Sequence, residues 1–252
     1  MTTDAGPART TVDSDEIARF AAMAAEWWDP DGKFRPLHRF NPVRLGYLRD
    51  RLVAHFGGDV RSLRPLAGLS ILDVGCGGGL IAEPLARMGA DVVGIDASDR
   101  NVRIAAAHAE DGGLAIDYRH AAVEDLAAGG ERFDAVLALE VVEHVADLGL
   151  FLAGCAAVCR PGGALVLATL NRTPKSWLFA IVGAEYVLRW LPRGTHDWRR
   201  FVRPSELAAG LGAAGARIAD IAGVAYDPLR DDWRLGRDVA VNYMAFAVKD
   251  GA

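Results

Sequence analysis

The densest reactive chemistry in the chain lies in Glu140-Val141-Val142-Glu143-His144. Two carboxylates and an imidazole this close together can hold a hard cation, take up a proton, or do both. The plain alternative is that Glu140 and Glu143 are first-turn acids favoured by a helix dipole; the histidine in the same turn, which the dipole would disfavour, argues against it. A second candidate is Leu72-Asp73-Val74-Gly75-Cys76-Gly77-Gly78-Gly79. Glycines between a strand and a helix let the backbone turn tightly and approach a ligand with no Cβ in the way. Gly75, Cys76 and Gly77 are the contact positions, and Asp73, on the preceding strand, can accept hydrogen bonds from a cationic ligand or orient the loop. The dinucleotide fingerprint wants Gly or Ala where Leu80 stands, so this loop departs from it.

Gly94-Ile95-Asp96 ends the next strand with a carboxylate 21 residues beyond Gly75, where an acid accepts the two hydroxyls of a ribose. Helix capping is the competing role for Asp96, but Asp99 is available for that. Ala97 adjoins it in the same wall. Val123 and Glu124, just after the third strand, belong beside an adenine ring, unless Val123-Glu124-Asp125 is only a solvated turn. Leu139 ends the fourth strand as an apolar wall of the pocket, a core leucine, or both.

The elements that must position these groups alternate. Asp13 or Ser14 caps a first helix whose apolar residues run from Ile17 to Trp28 at helical spacing, and Pro42 opens a second helix through about Phe56. Strands are predicted at 70–74, 91–95, 116–120, 133–139 and 164–170, with helices at 80–88, 99–110 and 147–158 between them. That rhythm implies a parallel sheet covered on both faces, an α/β fold. After Leu170 it breaks: a helix at 204–211 precedes strands at 217–224 and 241–248, which have no helix between them and should pair antiparallel. Residues 1–12 read as a disordered polar tail and 13–252 as one domain, with N-terminal helices over 13–60 and an insertion at 171–203.

Bulk composition excludes some classes. A net charge of −5 gives no basic footprint for nucleic acid. Three cysteines, Cys76, Cys155 and Cys159, cannot build a disulfide framework and suggest a reducing compartment. The longest charge-free run, Leu148 to Cys159, is far below the ~20 residues of a membrane span. A cytoplasmic protein is expected, peripheral on the inner membrane if it touches lipid.

The sequence resembles the bacterial and mitochondrial ubiquinone-biosynthesis O-methyltransferases over about Ile17 to Met244. The shared segments are Trp27-Trp28-Asp29, Pro36-Leu37-His38-Arg39, Asn41-Pro42-Val43-Arg44, the glycine loop, Glu140 to Val145, Thr169-Leu170-Asn171-Arg172, Val182 to Tyr186 and Gly194-Thr195-His196-Asp197. The glycine loop marks only the superfamily; Asn171 to Asp197 is far more diagnostic. The resemblance implies a class I S-adenosylmethionine-dependent methyltransferase (Rossmann-like) fold, with a seven-stranded, mostly parallel sheet and an antiparallel last strand. It implies methyl transfer from S-adenosylmethionine to a polyprenyl phenol or quinol at two steps, in company with other enzymes of the pathway. It makes Arg44 a cofactor-contacting arginine and Glu140, Glu143 and His144 magnesium ligands. His144 could alternatively take the proton itself, since a phenol near pKa 10 must lose its proton as it attacks. His38 and His196 fall in shared segments and are candidates for the acceptor pocket. One departure is visible: Ala240 stands where an acid is expected before Val241-Asn242-Tyr243.

Asn171 to Arg203 carries seven Lys or Arg against two acids, around Trp177, Phe179, Trp190 and neighbouring apolar residues. Cations flanking a short aromatic helix suit docking on an anionic bilayer, or a lid whose apolar side is ordinary core. Two other functions compete: a methyltransferase of another small phenol or carbon acid, and a non-catalytic partner that binds S-adenosylmethionine or a nucleotide.

Overall fold

The computed structural model describes residues 11–178, 197–227 and 232–251. Eight strands form one sheet in the order β3-β2-β1-β4-β5-β8-β6-β7: β1 (Ser70–Val74), β2 (Asp91–Asp96), β3 (Asp117–His120), β4 (Phe133–Leu139), β5 (Cys159–Leu170), β6 (Ala216–Asp227), β7 (Asp232–Gly236) and β8 (Asn242–Lys249). β1 to β5 are mutually parallel, and β8 lies antiparallel between β5 and β6. The expected antiparallel pairing of the last two predicted strands is present, but the sheet has eight strands, not seven. The extra one, β7, pairs antiparallel with β6 at the edge. Its short Asp-Trp-Arg-Leu-Gly sequence carries little of the apolar alternation that marks a buried strand.

Helices cover both faces. α2 (Arg35–Phe56) and α3 (Ala82–Arg87) pack on one, with Leu48, Leu52 and Leu85 against Ile71, Leu137 and Val166. α5 (Val123–Ala128), α6 (Leu148–Val158) and α8 (Pro204–Ala213) cover the other, where Leu126, Leu152 and Leu207 meet Val136, Leu165 and Ala245. α4 (Asp99–Asp111) lies along β2 and β3, and the three-residue α7 (Pro174–Ser176) follows β5. Cys155 and Cys159 are buried in the core, and burial pushes both thiols up.

Local boundaries differ from expectation where tertiary contacts override local signals. α1 (Ser14–Met23) is capped by the Asp13 side chain, worth about 1 kcal/mol. α2 starts at Arg35, with Pro36 in its first turn, and runs through Pro42. One proline removes a single backbone donor, and the buried side chains of Phe40, Arg44, Tyr47 and Leu48 keep the helix in place. Gly57, at φ 72°, ends it. The sequence assigns Thr11 to a tail, yet it is buried: its N–H donates to Glu124 Oε1 (2.8 Å), and its carbonyl accepts from Ala146 N (2.9 Å).

The segment after α1 caps the glycine loop. The Trp27 ring stacks on Phe34 with centroids 3.7 Å apart, and its Nε1 donates to Asn101 Oδ1 (3.0 Å). Trp28 Nε1 donates to Gly78 O (2.9 Å). A Cβ on Gly78 would lie 2.4 Å from Trp27 Cγ, closer than any packed contact. Gly78→Ala should therefore destabilise the protein by about 1–3 kcal/mol through overpacking. In a Trp27→Gly background, which removes both the indole and the Cβ that would lie 2.5 Å away, the same change should cost much less, read by denaturant unfolding as a double-mutant cycle. Equal costs in both backgrounds would remove the Trp27 side chain as the cause.

Candidate active site

The strand order reverses about β1, which pairs with β2 on one side and β4 on the other; Val74 is level with Ala138. The chain leaving β1 and the chain leaving β4 therefore emerge side by side, at the crevice where ligands bind in open α/β sheets. Gly75, at φ 72°, and Cys76 both donate backbone N–H groups to Ile95 O (2.8 and 3.0 Å). A Cβ on Gly75 would sit 2.6 Å from Val141 Cγ2. Both the left-handed backbone and the approach of the second loop thus call for glycine there.

Asp96 is held from two sides. Its Oδ2 accepts from Gly77 N (3.0 Å), and its Oδ1 accepts from Ser98 N (2.8 Å) and Asn101 Nδ2 (3.2 Å). Burial pushes its pKa up, while these bonds oppose the shift. Asn101 also receives Trp27, so the N-terminal segment is tied to the same carboxylate.

Next to the loop lie two buried charges. Asp73 is 3% exposed, and its Oδ2 has no hydrogen-bond partner. Burial pushes its pKa up to about 7, although the nearby Arg44 guanidinium works against the shift and Asp96 adds to it. Arg44, also 3% exposed, donates from Nε to Asn41 Oδ1 (3.1 Å), and Nη2 donates to the same oxygen. Its guanidinium lies 4.7 Å from the Phe40 ring centroid and makes no ion pair among the described residues. Burial lowers its pKa, opposed first by Glu140 and then by Asp73. A buried cation beside an unpartnered carboxylate oxygen is costly, and it fits a zwitterion whose own ammonium and carboxylate complete both pairs.

Glu140, Glu143 and His144 lie in a turn after β4, not in a helix. Glu140 has φ 58°, a left-handed conformation that costs a non-glycine residue about 1–2 kcal/mol. Its N–H donates to Ala168 O (2.9 Å), which anchors the turn to β5, and Asn242 Nδ2 approaches its Oε1 at 3.5 Å. Glu143 is 3% exposed; Thr169 Oγ1 donates to its Oε2 (2.9 Å), and its Oε1 has no partner. Burial raises its pKa well above the carboxylate range, and Glu140 raises it further, so its protonated form is favoured. His144 Nδ1 pairs with Glu16 Oε2 at 2.9 Å. Glu16 is held low by that hydrogen bond and by the charges of His144, Arg19 and Arg200.

One cavity of about 930 Å³ joins these groups. Every site residue assigned from the sequence lines it except Glu124, whose Oε1 accepts Thr11 N and whose Oε2 is buried without a partner. His38 lies outside the lining and bonds through Nε2 to Trp27 O (2.9 Å); His196 lies outside the described residues. Among the described residues, no group of three His, Cys, Asp or Glu side chains is disposed to hold a metal ion. Thr169 takes one Glu143 oxygen, and Glu16 takes His144 Nδ1. Sequence reasoning missed Glu16, Thr169 and Asn242. Thr169 and Asn242 sat in segments already singled out for other residues, whereas Glu16 looked like an ordinary polar position on an amphipathic helix.

A family model described as a methyltransferase domain matches residues 72–167, from within β1 to within β5. The chain is 59% identical over 236 residues to a ubiquinone biosynthesis O-methyltransferase of Azorhizobium caulinodans, covering 94% of this chain and 93% of that one. It is likewise 59% identical over 240 residues to the protein of the same name from Parvibaculum lavamentivorans, with 95% of each covered. In fold it is similar to a magnesium protoporphyrin IX methyltransferase from Synechocystis solved with S-adenosylhomocysteine, at a TM-score of 0.62, 20% identity and 94% coverage of both chains. By its near full-length match to these relatives, the chain belongs to the ubiquinone biosynthesis O-methyltransferase family.

Proposed function

We infer that this chain moves a methyl group from S-adenosylmethionine to a ring hydroxyl of a polyprenyl acceptor, acting on 2-polyprenyl-6-hydroxyphenol and on 3-demethylubiquinol. The observation that carries this reading is the pair of incomplete buried charges, Arg44 and Asp73, beside the glycine loop. Arg44 takes the methionine carboxylate and Asp73 the ammonium. Asp96 accepts the ribose hydroxyls, and Ala97 and Val123 flank the adenine. The donor's sulfonium methyl is thereby aimed at the turn after β4. There Glu140 and Glu143 orient the acceptor hydroxyl, and His144, held at Nδ1 by Glu16, receives its proton as the oxygen attacks. The O–H bond and the S–CH₃ bond break, an O–CH₃ bond forms, and neutral S-adenosylhomocysteine leaves. The Thr169 hydroxyl keeps Glu143 aimed during this step. Magnesium would act here as a Lewis acid on vicinal oxygens, but the arrangement of these side chains does not support it, and no step above requires it.

The insertion at 171–203 is assigned to lid closure and contact with an anionic bilayer. Its central part, residues 179–196, lies outside the described residues. On its near side Trp177 and Leu178 are about half exposed, which supports an apolar surface at this point. No helix among the described residues is long and apolar enough to cross a membrane.

Three outcomes are expected. S-adenosylmethionine affinity, measured by calorimetry, should rise with pH up to about 7, because Asp73 must be ionised to pair with the ammonium; the fall below that point approaches tenfold per pH unit. Asp73→Asn should bind weakly with no such slope. Glu143→Ala or His144→Ala should lower turnover by about 10²–10⁴ while leaving S-adenosylmethionine binding nearly intact; near-normal rates in both would remove the assigned chemistry. The chain should float with anionic liposomes and lose that recovery when Trp177, Phe179 and Trp190 become Asp.

A further inference from the structure

The cavity does not end at the carboxylate cluster; it continues across the sheet to the antiparallel edge. Leu170, Asn242 and Val224 are paired neighbours on β5, β8 and β6, and Val224 is paired in turn with Leu235 on β7. Two residues along β6, Tyr226 is paired with Trp233. Alternation within strands puts Val224, Tyr226, Trp233 and Leu235 on one face, the face that α2 covers. The rings of Tyr226, Trp233 and Phe40 form a continuous series. Tyr226 and Trp233 lie 5.4 Å apart between centroids, Trp233 and Phe40 5.0 Å, and the Arg44 guanidinium sits over the far side of that series at Phe40. Phe40, Val224, Tyr226 and Trp233 all line the cavity, and none bears a charge. From β5 to β7 is three strand spacings, roughly 14 Å. Leu235, paired with Val224, lies beyond the cavity lining and is 45% exposed, which leaves an apolar side chain on the sheet edge past Trp233.

We propose that this wall is the channel for the acceptor's apolar tail: the ring sits at Glu140 and Glu143, the first isoprenoid units lie along Phe40, Val224, Tyr226 and Trp233, and the tail leaves past Leu235 at the sheet edge. The proposal rests on the reading of the acceptor as a polyprenyl phenol or quinol, and it adds the residues that select for the tail. It gives a role to β7, the strand beyond the expected seven, since β7 supplies Trp233. An uncharged wall next to a cluster of buried ionisable groups also sorts the two ends of the acceptor. The hydroxylated ring can be satisfied only at the cluster, and the hydrocarbon only along the rings.

The test uses the full chain and two acceptors with the same demethylated quinol head, one bearing a farnesyl tail and one a methyl group in its place. The wild type should favour the farnesyl acceptor through KM. Trp233→Ala should raise KM for that acceptor by about tenfold with kcat little changed, and leave KM for the tail-less acceptor within about twofold of the wild type. S-adenosylmethionine binding, measured separately, reports that the variant is folded. If Trp233→Ala loses that binding, Tyr226→Ala makes the same comparison. A KM that rises by the same factor for both acceptors, or for neither, overturns the channel. A wild type that methylates both acceptors with equal kcat/KM overturns the channel and leaves methyl transfer standing. A wild type that turns over neither overturns the polyprenyl reading and the channel together.

Discussion

The constraint on which this structure turns is the burial of ionisable groups that the protein does not itself neutralise. Arg44, Asp73 and Glu143 are each almost completely removed from solvent, and Asp73 and Glu143 each present an oxygen with no partner. Such groups oppose folding, because desolvation of a charge is repaid only by a well-placed counter-charge or hydrogen bonds. The protein answers by shifting pKa: burial drives both Asp73 and Glu143 towards neutrality. A donor carrying both an ammonium and a carboxylate would supply the partners that Asp73 and Arg44 lack, so on the proposed reading the feature that weakens the empty fold also selects the ligand. Perturbed carboxyls beside a glycine loop are therefore the physical mark of this site.

Holding such groups in place requires rigidity around them. The parallel half of the sheet brings the ends of β1 and β4 together, and the close approach of Val141 to Gly75 locks the two loops into one unit. Elements from the N-terminal region then close the site from outside. Trp27 lies over Gly77 and Gly78 and reaches Asn101, while Glu16 reaches His144 across 128 residues of sequence. Asp13 pairs with Arg200, which also donates to Val145 O, so α1, the turn after β4 and the chain ahead of α8 are joined. The strained backbone of Glu140 belongs to the same arrangement, since its N–H bond to Ala168 holds the turn where both carboxylates face the cavity.

Much of the fold was legible because its signals are local. The strands at 70–74 and 133–139 are mostly apolar, broken only by Ser70, Asp73 and Asp134, and their bounds match β1 and β4. Asp13 as a cap needs only its neighbours. β7 was not legible, because a short polar-looking edge strand is stabilised by pairing with β6 and by Trp233 packing against Phe40. The start of α2 was misplaced for a similar reason: Pro42 is a strong local stop signal that buried side chains on both sides of it override. The sequence predicts no helix at α5, since six residues carry too little periodicity to announce one.

For the site, residue type and spacing alone determined that Asp73, Asp96, Glu140, Glu143 and His144 gather at the carboxyl ends of parallel strands. Strand–loop–helix order dictates where those ends lie, whatever the packing beyond them. Only the tertiary structure decided what each group touches. It turned Glu124 to Thr11, gave Glu143 to Thr169, and set Glu16 against His144. Such pairings join residues far apart in the chain, and burial, which sets their charge states, is a property of the packed whole.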